Sequence, residues 1–301
     1  MAFSFIRPRR LWFAISAVLI GASLMALGLF GLKFGTDFTG GTLLELRFAS
    51  GRPENAELAG LFANAGFQGA TVQPAGEDRA LVRLPPLTEE EHQTALAAVK
   101  AAHEGASELR FNSVGPVIGK ELRTTAVLGV AITLLLIGLY IAYVFRTVSD
   151  PVPSWKYAVV TLIAAAHDVI IPLGLFAVLG HFRDWEVNAG FVAAALTILG
   201  YSISDTVVVF DRVRENLSRD SSDAFEDIVD RSVQQTAVRS FNTSFTALLA
   251  LAAILAFGGD TTRPFAAALF AGIATGTYSS IFIASPLLVE WEKRNRKGSG
   301  G

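Results

Sequence analysis

The chain has 301 residues, 51% of them hydrophobic and only 17% charged, with a mean hydropathy of +0.45. Soluble domains carry about 25% charged residues, so an ordinary soluble protein is excluded. The absence of cysteine excludes disulfides, thiolate metal sites and cysteine catalysis, while a net charge of −2 selects no partner, because in a membrane chain the placement of charge matters more than its sum.

The apolar residues cluster into long runs, the pattern of a polytopic membrane protein. Arg7, Pro8, Arg9 and Arg10 precede an uncharged run over residues 11–32. That run is longer than a signal-peptide core, and no clear small-residue cleavage site follows it. It reads as a retained first transmembrane helix, entering from a basic cytoplasmic side.

Residues 33–121 are polar and made of short segments. Residues 42–49 read as a strand. Residues 53–65 read as a helix, with Pro53 at its start and Gly66 just past its end. Residues 69–73 and 79–84 read as strands joined by a turn. Residues 88–103 read as a second helix, where Thr88 and Glu91 form a capping box. Residues 109–114 close as a strand. The order is β-α-β-β-α-β, the split ferredoxin-like arrangement. That fold hosts many functions and assigns none. No nucleophile, phosphate loop or metal cluster stands out here. Glu89, Glu90 and Glu91 read as a solvated helix start, favoured by the helix dipole. Asp37, Gly40 and Gly41 belong to the stretch DFTGGT over residues 37–42. Its glycines mark backbone positions that a Cβ would forbid, so it reads as a tight structural turn, with a ligand-cradling loop as the alternative.

Apolar runs then resume over residues 124–145, 157–179, 189–210, 239–257 and 264–291. His167, Asp168 and Pro172 interrupt the third helix. A polar amphipathic connection of both charge signs spans residues 212–235. The basic residues Lys293, Arg294, Arg296 and Lys297 follow the sixth helix, and the final glycine-rich residues resemble a linker. The chain thus divides into 1–32 (N-terminus and first helix), 33–121 (the inserted α+β domain), 122–291 (helices two to six) and 292–301 (basic tail and linker-like end). The basic N-terminus, the loop at 146–156, the 212–231 connection and the tail share one side. By the positive-inside rule that side is cytoplasmic. The inserted domain falls outside the cytoplasm, and is periplasmic in a double-membrane bacterium.

Ionisable residues inside these runs carry the functional signal, because charge in a membrane helix is costly and faces a bundle interior or a watery path. Asp205 lies near the cytoplasmic end of the fourth helix, and helical spacing stacks Thr197 and Tyr201 on its face. It reads as part of an ion or proton path, with a helix-capping or bonding role as the alternative. Arg239 opens the fifth helix, with Thr243 and Thr246 on its face. It either joins Asp205 in a pair or water-bridged network, or snorkels to the headgroups. His167 and Asp168 sit mid-helix. They suit a proton relay, or they satisfy backbone groups freed by Pro172. Gly272 and Gly276, with Ser279 and Ser280, read as a close helix-packing face.

Five stretches together, in this order and spacing, resemble the SecF family. They are residues 37–42 (DFTGGT), 114–119 (VGPVIG), 166–168 (AHD), 200–206 (GYSISDT) and 211–216 (DRVREN). The resemblance implies the resistance–nodulation–division superfamily, in which two six-helix halves make one proton-coupled machine. It implies SecD as the other half, with the SecYEG channel, YajC, an exported preprotein and membrane lipid as partners, and no nucleic acid. The implied role is to drive late steps of preprotein export across the inner membrane with the proton motive force. The family's functional acid maps onto Asp205, and its fifth-helix arginine onto Arg239. No enzyme activity, cofactor or metal is expected. Two other readings stay open: half of a small-molecule exporter of the same superfamily, and a passive structural subunit.

Overall fold

The computed structural model describes residues 4–147, 151–219 and 223–298. The linker-like residues 299–301 lie outside the described residues, as do 148–150 and 220–222 within two of the connections. In chain order, α1 (Arg9–Phe30) is followed by a short α2 (Thr36–Thr39) and β1 (Gly41–Arg47). Next come α3 (Asn55–Asn64), β2 (Thr71–Pro74), β3 (Arg79–Leu84), α4 (Glu89–Ala102) and β4 (Ser107–Val114). Long helices complete the chain: α5 (Pro116–Val144), α6 (Ser154–Arg183), α7 (Ala189–Arg219), α8 (Phe225–Phe257) and α9 (Arg263–Ser279). A π turn (Ser280–Ala284) links α9 to α10 (Ser285–Gly298). Among the described residues, six spans are long and apolar enough to cross a membrane: α1, α5, α6, α7, α8 and the run from α9 into α10.

The chain forms two compact units. The smaller comprises Phe34–Leu128 with Val187–Ala189. Its four strands form one antiparallel sheet in the order β2-β3-β1-β4. Alternation along β3 buries Ala80, Val82 and Leu84. Register sets them opposite Leu46, Leu44 and Thr42 of β1, which are also buried. Leu58 and Phe62 of α3, and Ala95, Leu96 and Val99 of α4, close the same core. Each fully buried Leu or Phe contributes about 1.5–3 kcal/mol relative to exposure. The Thr88 hydroxyl accepts from Glu91 N, and Glu91 Oε2 accepts from Thr88 N at 2.8 Å, as the capping box requires. That backbone N–H, and then the Thr88 hydroxyl, hold the exposed Glu91 carboxyl below the usual carboxylate range.

The larger unit is helical. Its core joins Tyr157, Val160 and Ala164 of α6 with Leu199, Val209 and Phe210 of α7, Val229 and Val233 of α8, and Leu288 of α10. Helix α6 runs unbroken through His167, Asp168 and Pro172, where the sequence pattern had read as interrupted. Asp184 ends it in the left-handed region at φ 57°, which Asp tolerates better than most residues, and pairs with Lys33. Small residues let helices cross closely. Gly174 of α6 lies against Ser23 of α1. Gly272 and Gly276 of α9 lie against Ile198 and Ser202 of α7, as the sequence spacing predicts.

Within the polar connection over residues 212–235, residues 212–219 and 225–235 are helical. Helix α7 continues to Arg219, and α8 begins at Phe225, well before the apolar run. Glu215 accepts from Arg212 and pairs with Arg219, each at 2.7 Å, along the helix face. Asn216 donates to Ser232 at 2.8 Å, tying the two extensions together. At the same end, Asp230 accepts from the backbone N–H groups of Phe5 and Ile6, and Arg9 pairs with Glu226 and Glu290.

Candidate functional site

Helix α7 carries Asp205 among Ile203, Val209 and Phe210, all buried apolar residues. The half-buried carboxylate is held by hydroxyls from two other elements. Its Oδ1 accepts from Ser240 of α8, and its Oδ2 accepts from Ser280 on the π turn. Beside it lies a cavity of about 110 Å³, lined by Tyr201, Ser204 and Asp205 of α7 and by Arg239, Ser240 and Thr243 of α8. Arg239 therefore shares a cavity with Asp205. Its guanidinium is exposed, and among the described residues it makes no hydrogen bond or ion pair. The two charges are brought together across polar space, and the direct donors to the carboxylate are serines.

The expected supporting hydroxyls divide. Tyr201 donates to Ser244 of α8 at 3.2 Å, and Thr277 of α9 donates to the same oxygen at 2.5 Å. Thr243 lines the cavity, but its hydroxyl bonds back to Arg239 O at 2.9 Å. Thr197 and Thr246 stand apart from the site. They bond to Ala193 O and Thr243 O of their own helices, the usual fate of a threonine hydroxyl in an apolar helix.

His167 and Asp168 form a second, fully buried polar cluster. Asp168 Oδ1 lies 2.8 Å from His167 Nδ1. Asp168 Oδ2 accepts from Ser202 of α7 at 2.5 Å and from Ser279 of α9 at 2.6 Å. The imidazole stacks toward Tyr278, with ring centroids 6.2 Å apart. The Tyr278 hydroxyl donates to Trp12 O at 2.9 Å. Ser202, Ser240, Ser279 and Ser280 were not singled out as carboxylate partners by sequence. Ser279 and Ser280 had read only as packing residues, since one serine in an apolar helix looks like any other.

In the smaller unit, Asp37 Oδ2 accepts from Ala189 N at 2.9 Å, and Gly35 N donates to Val187 O at 2.9 Å. Asp37 thus supplies a capping oxygen to the first turn of α7. Gly40 has φ 76°, and a Cβ there would meet Pro116 Cα at 2.8 Å. Gly119 lies against the same backbone, where a Cβ would come 2.9 Å from Gly40 N. The stretch expected to be a turn is therefore a one-turn helix, α2, closed by a glycine pair that lets the start of α5 approach. Among the described residues no group of His, Asp and Glu comes together as metal ligands.

Comparison with known proteins agrees with these motifs. Residues 26–51 match the SecD/SecF GG motif. Residues 94–294 match the family described as protein export membrane protein SecD/SecF, C-terminal. The protein translocase subunit SecF of Thermobaculum terrenum is 40% identical over 303 residues, covering 96% of this chain and 94% of that one. The protein translocase subunit SecDF of Thermus thermophilus is 39% identical, covering 98% of this chain but only 39% of its own length. The crystal structure of SecDF, a translocon-associated membrane protein, from the same organism matches with a TM-score of 0.83 at 37% identity, over 97% of this chain and 39% of that chain. With a family match across two-thirds of its length and a relative aligned almost end to end, this multi-pass membrane chain belongs to the SecD/SecF family of protein-export membrane proteins.

Proposed function

We propose that this chain is the SecF half of a SecD–SecF pair that uses the proton motive force to drive late steps of preprotein export. It acts as a proton-coupled transport subunit and not as an enzyme. Asp205 is the protonatable carboxylate of this half, and Arg239 balances its charge across their shared cavity. The observation that carries the reading is this ionisable Asp in a membrane-spanning helix, held by two hydroxyls and open to a polar cavity that also takes an arginine. A purely structural Asp needs its hydrogen bonds but no cavity.

In this reading both termini are cytoplasmic in the bacterial inner membrane. Residues 33–121 form a periplasmic domain whose strand order and element order support the ferredoxin-like arrangement. A change of charge at Asp205 biases two packings of the helices, and the domain moves with them to hold an emerging polypeptide. SecD packs against the face that carries Asp205 and Arg239, and SecYEG, YajC and the preprotein complete the assembly. The alignment to a SecF relative over 94% of that relative, and to 39% of a SecDF relative, supports this division.

The test is preprotein export in vesicles that hold the translocase and both subunits, with and without a proton gradient. Asp205→Asn preserves the shape of the side chain and should assemble normally, yet lose the gradient-dependent part of export. A full response to the gradient in that variant would make the carboxylate structural and end this reading.

A further inference from the structure

The coupling role of Asp205 leaves a second buried carboxylate without a task. Asp168 has no exposed surface, and its partners come from three helices: His167 of α6, Ser202 of α7 and Ser279 of α9. Holding helices together does not require an ionisable group at this depth. An apolar residue of similar volume does so at lower cost.

Two further observations give the cluster a direction. The first is His167 Nε2, which is buried and has no hydrogen-bond partner among the described residues. When Nδ1 donates its proton to Asp168, Nε2 carries an unused lone pair, the acceptor of a neutral imidazole. The second is the pair Ser279 and Ser280. These neighbours serve different carboxylates: Ser279 donates to Asp168 and Ser280 to Asp205. Consecutive residues of a helix point about 100° apart, so one turn reaches both α6 and α7. Ser279 ends α9 and Ser280 opens the π turn, where Ser285 Oγ donates to Ser280 O at 3.0 Å. Such turns recur at functional sites, where a helix is already off its regular ladder.

We propose that His167 and Asp168 form an inner protonation site that works in tandem with Asp205, the two linked through Ser279 and Ser280. The proposal rests on the reading of Asp205 as the coupling carboxylate. A proton taken up at His167 Nε2 leaves an imidazolium beside the Asp168 carboxylate, and the pair passes from one negative charge to none. Its release restores the neutral imidazole. Either change alters how strongly Asp168 draws on the Ser279 hydroxyl, and so alters the turn that presents Ser280 to Asp205.

Few other titratable groups face the cluster. Helix α1 has none between Leu11 and Phe30. Helix α9 brings Tyr278, whose hydroxyl is committed to Trp12 O. Helix α7 brings Asp205. Tyr140 and Tyr143 of α5 are exposed, as is Arg239 of α8. Glu290, Glu292, Lys293 and Arg294 of α10 flank Trp291, which packs on Trp155 at the far end of α6.

The test is nitrogen NMR of the full chain in lipid nanodiscs, labelled at its four histidines and titrated across about pH 4–10. His167→Gln identifies the signal. His167 should titrate reversibly, and Asp205→Asn should move its midpoint, because the two sites meet at the neighbouring residues Ser279 and Ser280. Ser280→Ala, which keeps both carboxylates, should weaken that dependence. A His167 held in one state throughout, or a midpoint unmoved by Asp205→Asn, would overturn the proposal. The export assay separates the two readings. An unmoved midpoint with gradient response lost in Asp205→Asn removes the inner site alone. A moved midpoint with full gradient response removes the role of Asp205 in export.

Discussion

Asp37 and Ala189 stand 152 residues apart and are joined by one hydrogen bond, from the backbone N–H that opens α7 to the carboxylate of the DFTGGT stretch. The first N–H groups of a helix have no partner within it, and a side-chain oxygen nearby satisfies one of them. Asp37→Ala should therefore fray the first turn of α7, at a cost of about 1 kcal/mol, while Asp37→Asn keeps the acceptor and should cost little. Hydrogen exchange at residues 189–192 reads this directly. Equal protection in the alanine and asparagine variants would show that the bond does not hold the helix end.

Gly276 tests the crossing of α7 and α9. A Cβ there would stand 3.0 Å from Ser202 Cβ and 3.4 Å from its Cα and Oγ. Gly276→Ala asks the neighbours to shift by a few tenths of an ångström. Gly276→Val asks for much more, and overpacking of this kind costs about 1–3 kcal/mol. The same push moves Ser202, whose hydroxyl donates to Asp168. The thermal midpoint in detergent should fall mildly for alanine and sharply for valine. An unchanged midpoint for valine would mean that the helices part freely at this level.

The orientation has a direct measurement, made clean by the absence of native cysteine. Gln68→Cys should react with an impermeant thiol reagent added outside spheroplasts, and Ser218→Cys should not. Both positions are exposed in the structure. Labelling of position 218 from outside would invert the topology.

Charges were legible in the sequence because an apolar run makes them conspicuous: Asp205, Arg239, His167 and Asp168 all stand out. The glycine spacing at 272 and 276 was legible for the same reason, since small residues at this interval leave room for one close neighbour. Hydroxyls were not legible. Thr197, Thr243 and Thr246 share helical faces with the charges, yet bond to their own backbones. Ser240 and Ser280, with no distinguishing pattern, reach Asp205 instead. The π turn that aims Ser280 depends on tertiary packing, and no local composition marks it. Helix ends were also hidden. Apolarity stops near Phe210, but ion pairs among Arg212, Glu215 and Arg219 carry α7 onward. The Asp37 cap was invisible because its partner lies so far along the chain.

Arg239 separates charge from geometry at the proposed coupling site. Its guanidinium lines the cavity beside Asp205 without bonding to it, while Ser240 and Ser280 make the direct contacts. An arginine that acted through a fork of parallel hydrogen bonds would tolerate no replacement, lysine included. One that acts across a polar cavity contributes mainly its positive charge, and a lysine carries the same charge on a flexible stem. In the gradient-driven export assay, Arg239→Lys should keep at least about half of the gradient-dependent rate. Arg239→Met fills similar space with no charge and should lose about tenfold, equivalent to ~1.4 kcal/mol on the limiting barrier. Co-purification with the partner separates this loss from a loss of assembly, since Arg239 is exposed on the face assigned to the partner. Equal loss in lysine and methionine would mean that the guanidinium plane itself makes a contact in the working complex. Equal retention would mean that Asp205 needs no counter-charge on this chain.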